Sequence, residues 1–282
     1  MNVMGPVLTR ASLVTRYALE LVRQGLPERT GPMEREVIFI LDGVGGFQFV
    51  PLLIRRMLQD AGSHLGTIMY RWQFGLPVEI WTDLMWRSRN EKKAAEFAAR
   101  LADFRAEHPS ARIHLVAYSG GCGIAAWACE RLTGPAAIET LVLACPALSC
   151  TYNLAPALRK VERCYALVSR KDRWILGAGT SVFGTVDRRF ACAAGCAGFR
   201  RPALLSPEDE AVYDRLWQIE WTAQLRSLGH HGGHAGWATL PFLREHLLAL
   251  LRGEPRLDAS RLTARESHPT VGDTVSTRVD GR

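Results

Sequence analysis

The sequence predicts an α/β fold, with a mostly parallel central sheet and helices on both faces. Three observations carry that prediction. Short apolar, β-prone runs alternate along the chain with longer stretches of helical period, the order of repeated strand–helix units. Glycine-rich turns close two of the apolar runs, at Asp42-Gly43-Val44-Gly45-Gly46 and at Ser119-Gly120-Gly121. With 48% hydrophobic residues in 282, the chain has ample material for the core of one large α/β domain or two small ones.

Taken in order, residues 8–25 have helical spacing, with Leu13, Tyr17, Leu21 and Val22 on one face. Such a helix packs on the domain or lies against a membrane surface or partner. Residues 26–35 are rich in Pro, Gly and charge and read as a connector, so 1–35 form an N-terminal unit. The main domain is expected over 36–252. It opens with a buried strand at Val37–Leu41, a helix at Phe49–Leu58 and a strand at Thr67–Trp72. Residues 78–107 give one long amphipathic helix or two abutting ones. A strand at Ile113–Tyr118, a turn and a buried helix at Cys122–Leu132 follow. The next strand, 138–144, is followed by a link over 146–158 that is too short for a large inserted cap. Cys164–Ser169 is another strand. Residues 176–207 show little periodicity and are expected to fold over the site end of the sheet. The last strand is read at Trp217–Gln224 and the last helix at Leu240–Leu251. From Gly253 to Arg282 the chain is polar and aperiodic and reads as a disordered tail.

The stretch Ala117-Tyr118-Ser119-Gly120-Gly121 sits between a strand and a helix. A serine there, held on a strained turn with its hydroxyl above the sheet, resembles the nucleophile elbow of the α/β-hydrolase family. The pattern G-x-S-x-G is kept except for Ala117, a small residue at the first position. The resemblance covers roughly residues 36–252. The short stretch before the first strand implies that the antiparallel strands often opening this sheet are missing or replaced by the N-terminal helix.

The resemblance also implies site residues. In that family the chain order is Ser, then Asp or Glu, then His. Asp172 stands just beyond the Cys164–Ser169 strand, and His234 lies in the loop Gly229–Trp237 between last strand and last helix. Ser119 would be the nucleophile, His234 its base and Asp172 the orienting acid. His231 is the second choice of base, and Asp187 and Asp209 are further acids in irregular sequence. The oxyanion hole would use the backbone N–H groups of Gly120 and Val44, the latter in a loop where aspartate (Asp42) replaces the family's histidine. Phe47, Trp72, Phe74, Trp174, Phe183 and Trp237 stand near strand ends, where they line the substrate or pack in the core. His64, His108, His114 and His246 fall on expected helices or strands and read as structural.

The net charge of +7 is spread, almost all of it on arginine, with lysine only at Lys92, Lys93, Lys160 and Lys171. Without a basic stripe interleaved with aromatics, nucleic acid is not an expected partner; weak contact with an acidic membrane surface is compatible with the charge. Seven cysteines, no CxxC and no secretory signal point to a reduced, cytoplasmic chain, although the spacing of Cys192 and Cys196 permits a disulfide between them. The three histidines of the 230–234 loop lack accompanying carboxylates or cysteines in sequence, so no zinc is expected. No run of 18 apolar residues suggests a membrane span.

The reading is therefore a serine hydrolase, esterase- or lipase-like, acting on a small ester or lipid-like molecule without a cofactor. Two alternatives stay open: a non-catalytic binding protein of the same fold, and a dinucleotide-binding enzyme using Gly121, Gly123 and Ala126 as G-x-G-x-x-A. The second lacks an acid at the end of the next strand, where the ribose would need one.

Overall fold

In the computed structural model, which describes residues 27–73, 80–134, 137–203 and 205–261, eight strands form one sheet. They are β1 (Arg29–Thr30), β2 (Glu36–Leu41), β3 (Gly66–Met69), β4 (Arg112–Tyr118), β5 (Ile138–Ala144), β6 (Val161–Val168), β7 (Leu216–Glu220) and β8 (Ala259–Arg261). The order across the sheet is β1-β3-β2-β4-β5-β6-β7-β8. The strands β2 to β7 run parallel, and β1 and β8 pair antiparallel at the two edges. Continuous apolar sequence explains the parallel core: from Val37 to Leu41 every β2 residue is buried, as strands covered on both faces require.

The connections fix the layers. Helix α1 (Phe49–Asp60) carries the chain from β2 to β3. Helices α2 (Ile80–Met85) and α3 (Arg87–Glu107) then carry it back past β2 to β4. Right-handed crossovers that step in opposite directions put their helices on opposite faces. Helix α4 (Gly121–Arg131) packs beside α3, while the C-terminal helix over 240–252 packs beside α1. Of the two readings of 78–107, one long helix or two abutting ones, the second holds over the described residues, with the break at Trp86. Every loop that follows a parallel strand emerges at the same end of the sheet, and Ser119, Asp172 and His234 all lie there.

Several expectations change. The connector contributes β1, tied to β3 by the Thr30 and Thr67 hydroxyls at 2.6 Å. Buried Arg55 holds it in place, donating to Thr67 Oγ1 and to the carbonyls of Pro27 and Glu28. The last parallel strand stops at Glu220, because Trp221 turns its indole N–H back to the His230 carbonyl at 2.8 Å. The expected tail loses its first nine residues: 253–261 are described, and Ala259–Arg261 pair with β7. Segment 176–207 is held over the carboxyl ends of β5 and β6 by Gly195 N–H to the Pro146 carbonyl and Val186 N–H to the Ala147 carbonyl. The helix read at 8–25, the tail beyond 261 and Phe74 lie outside the described residues, as do the side chains of Trp174 and Phe183. His114 is fully buried in β4 against Glu36 (2.8 Å), a structural pairing.

Candidate active site

The turn between β4 and α4 is sharp because the chain reverses there within three residues. Ser119 takes a left-handed conformation with φ 52°, rare for a side chain with a Cβ. Its N–H donates to the Ala144 carbonyl (2.9 Å), and its own carbonyl accepts from Cys122 and Ala147, so the strained residue is fixed on both sides. Gly121 is required by close approach: a Cβ there would lie 2.5 Å from the Asp42 carbonyl oxygen. Ala117, in place of the family's glycine, is a buried β4 residue paired with Leu41 and Leu143, where a methyl group is accommodated.

Three residues far apart in sequence meet above this turn. The Ser119 hydroxyl lies 3.0 Å from His234 Nε2. His234 Nδ1 lies 2.5 Å from Asp172 Oδ2. Asp172 is almost fully buried, in a turn closed by its N–H on the Ser169 carbonyl. With Asp172 as a carboxylate, Nδ1 carries the proton and Nε2 faces the serine as acceptor. The His234 carbonyl is held by Tyr118 Oη (3.0 Å) and by Cys145 Sγ (3.2 Å).

The histidine loop has its own anchor. His230 is fully buried, accepts at Nδ1 from the Gly232 N–H, and packs against Trp237, Trp221 and Phe242. Burial pushes its pKa down to about 4, so the ring is neutral. Ser169 Oγ donates to the Gly232 carbonyl at 2.6 Å, joining this loop to the one carrying Asp172. His231 is exposed and takes no part. The three histidines therefore do not converge; among the described residues the group with ligand-like proximity is Cys145, Asp172 and His234.

Val44 and Gly120 are neighbours: a Cβ on Gly120 would sit 2.8 Å from Val44 Cγ1. The N–H groups flanking Val44 are already used, Gly43 on Asp42 Oδ1 and Gly45 on Asp83 Oδ2, both at 2.9 Å. Among the described residues no acceptor lies against the N–H of Val44 or of Gly120. The carbonyls of this loop are drawn the other way. Trp72 Nε1 and Gln73 Nε2 donate to the Asp42 carbonyl, and Gln73 also to that of Gly43. Asp83 is buried and paired with Arg89, which donates to the Trp72 carbonyl as well.

Asp42 points to the start of α1. Burial raises its carboxyl from the ordinary range to about 6, while the N–H groups of Gly43, Phe49, Val50 and Gln48 favour the charged form. An acid suits the vicinity of a helix N-terminus; its Oδ1 accepts from the Gly43 N–H at 2.9 Å, while Oδ2 is buried with no hydrogen-bond partner among the described residues.

The aromatic expectations are corrected in part. Trp72 and Trp237 are core residues, at 0% and 2% exposure, and do not line the site. A cavity of about 380 Å³ beside Ser119 is lined by Asp42, Gly43, Val44, Phe47, Phe49 and Tyr118. Of its aromatic walls, sequence reasoning singled out only Phe47; Tyr118 was open to notice as the residue between Ala117 and Ser119. Asp187 is buried too, but accepts from Ser149 and Thr185, away from His234. Asp209 pairs with Arg159 at the far end of the sheet. The dinucleotide alternative finds no space: Gly121 abuts the Asp42 carbonyl and Gly123 abuts Val186, where a pyrophosphate would have to lie.

No family model matches the chain, and no curated protein sequence matches it. Among solved structures it is similar to LpqC, a poly(3-hydroxybutyrate) depolymerase from Bordetella parapertussis, at 14% identity and TM-score 0.47, over 81% of this chain and 83% of that one. It is also similar to an esterase of Pyrobaculum calidifontis (14%, TM-score 0.37, covering 80% and 76%). A thioesterase domain from the curacin biosynthetic pathway is a third (13%, TM-score 0.37, covering 80% and 93%).

Proposed function

We propose that this chain, which has the α/β-hydrolase fold, is a serine hydrolase that cleaves carboxylic esters with an apolar acyl or alkyl part. One observation carries the reading: a left-handed serine whose hydroxyl meets a histidine at 3.0 Å, with the far nitrogen of that histidine 2.5 Å from a buried carboxylate. A serine hydroxyl is a weak nucleophile, and this constellation supplies the base and the group that orients the base.

In this reading Ser119 Oγ attacks the ester carbonyl carbon as His234 Nε2 takes the hydroxyl proton. The N–H groups of Val44 and Gly120 receive the oxyanion, and the helix start behind Ser119 adds to the positive potential there. The C–O bond to the leaving alcohol then breaks, and Nε2 returns the proton to that oxygen. Water, activated by the same nitrogen, cleaves the acyl-enzyme and frees the carboxylic acid. Asp172 holds the Nδ1–H tautomer and stabilises the imidazolium formed in between. The apolar cavity with Phe47, Phe49 and Tyr118 suits the apolar part of the ester.

The test is labelling by a fluorophosphonate probe with wild type, Ser119→Ala and His234→Ala, followed by a series of p-nitrophenyl esters of rising chain length. Labelling and turnover by wild type alone support the reading. A folded wild type that neither labels nor hydrolyses any ester overturns it in favour of a non-catalytic binding protein.

A further inference from the structure

Among the described residues, six large apolar side chains stand exposed: Phe47, Phe49, Met85, Trp86, Ile175 and Phe190, between 46% and 64% accessible. All six lie at the carboxyl end of the sheet, around the mouth of the site. Phe47 and Phe49 flank the cavity beside Ser119. Met85 and Trp86 follow Asp83, which binds Gly45 of the same loop. Arg87, next to Trp86, donates to the Asp187 carbonyl and so joins that corner to the Phe190 loop. Thr180 Oγ1 donates to the Ala191 carbonyl, linking the Phe190 loop to the turn that bears Ile175. Hydrogen bonds thus knit the six into one rim.

The charge on this rim is one-sided. In the described loops leaving the carboxyl ends of the parallel strands, Asp42, Asp172 and Asp187 are buried, and Glu220, at the end of β7, pairs with Arg170 at 2.8 Å. Exposed cations are plentiful: Arg71, Lys171, Arg173, Arg189 and Arg226. Scattered exposed apolar residues are ordinary on a protein surface, but their confinement to one end, interleaved with cations, is not.

We propose that this end of the molecule docks on an anionic phospholipid surface, with the six apolar side chains inserted at the headgroup level and the arginines on the lipid phosphates. Apolar side chains with an arginine fringe are the chemistry that holds a protein in the interfacial plane, each cation adding attraction to an anionic leaflet. A nucleic acid would select stacked aromatics along a groove. Docking in this pose sets the cavity mouth against the lipid, so an apolar ester enters without crossing water; that consequence, unlike the docking, rests on the serine hydrolase reading.

The experiment is sedimentation of the full chain with phosphatidylcholine vesicles, with and without phosphatidylglycerol, at low and high salt. Two double variants are included, Trp86→Ser/Phe190→Ser and Arg173→Glu/Arg189→Glu, none of these residues lining the cavity. Expected are binding to the phosphatidylglycerol vesicles, loss of that binding at high salt, and a loss of about tenfold or more in each variant. Hydrolysis of a short soluble ester stays at the wild-type level in both. No binding to phosphatidylglycerol vesicles at low salt overturns the proposal, as does binding that neither double variant weakens. Binding lost only on removal of residues 1–26 overturns it equally. The two readings separate on the wild type: vesicle binding by a folded wild type that neither labels nor hydrolyses removes the hydrolase reading and leaves docking standing.

Discussion

The indole N–H of Trp72 donates to the Asp42 carbonyl at 2.8 Å, and with Gln73 Nε2 on the same oxygen it holds the glycine-rich loop whose Val44 side chain lies against Gly120. Trp72→Phe keeps an aromatic ring but removes the donor and, phenyl being smaller than indole, leaves a small gap in the core, while Gln73 still serves the same carbonyl. The expected cost is about 1 kcal/mol in stability, read by urea unfolding. The expected loss in kcat is about tenfold, smaller than the 10²–10³ that follows outright removal of an oxyanion donor. A fall in KM-dependent terms alone, with kcat intact, would mean that the loop does not serve the oxyanion.

Ser119→Ala and His234→Ala should each lower kcat for ester hydrolysis by about 10⁴–10⁶, and the double variant should be no worse, because the two act as a unit. Asp172→Asn should lose about 10⁴ with little change in structure, since an amide at 2.5 Å from Nδ1 no longer enforces the required tautomer. Circular dichroism and turnover measured together check this. Multiplicative losses would argue against a shared catalytic unit.

Asp42 gives a pH signature. Its folded pKa of about 6 stands above the ordinary 3.8, so the folded state binds the proton more tightly than the unfolded chain. Stability from this group is present below about 4 and is lost as pH rises through 6. Asp42→Asn should flatten the pH dependence of unfolding between 4 and 6 and leave the protein at least as stable at neutral pH.

His230 acts with the opposite sign. Its folded pKa of about 4 lies below the ordinary 6.5, so its contribution is present above 6.5 and is lost as pH falls toward 4. His230→Gln should remove that slope. Gly236 shows how tightly the ring is held, for a Cβ there would sit 1.7 Å from His230 Nδ1. Gly236→Ala should therefore displace the loop bearing His234, costing at least about 2 kcal/mol and most of the activity. Thermal melts alongside ester turnover test both variants.

Phe49 faces the cavity from the start of α1. Phe49→Ala should enlarge it and move the preferred p-nitrophenyl ester to longer chains, changing kcat/KM per methylene by about tenfold or less. An unchanged chain-length profile would place the apolar part of the substrate elsewhere.

The parts of this site that could be read from sequence are those whose signal is local. Ser119 is announced by a strand, a tight turn and a helix within a dozen residues, and Asp172 and His234 by their place after particular strands. Val44 was singled out on the same kind of local signal, a glycine-rich turn after a strand, and its part as an oxyanion donor is a proposal. Trp72 stayed open between ligand and core because an aromatic at a strand end looks alike in either place; its burial and the carbonyl it binds decide for the core. Asp83 was invisible, since its partner Gly45 lies 38 residues away and nothing in helix α2 marks the contact. Residues 253–261 were read as tail because three residues of strand carry no periodicity, and their pairing with β7 is a tertiary fact.

That last strand, with β1 on the opposite side, has a consequence for solubility. A parallel sheet left open at β3 and β7 would offer bare rows of N–H and C=O groups to any other extended chain. Two antiparallel stubs, of two and three residues, occupy those rows and are too short to recruit a further neighbour. A chain ended at Arg252 would keep Ser119, His234 and Asp172 yet expose the β7 margin, and self-association through that margin is the fault such a truncation would create.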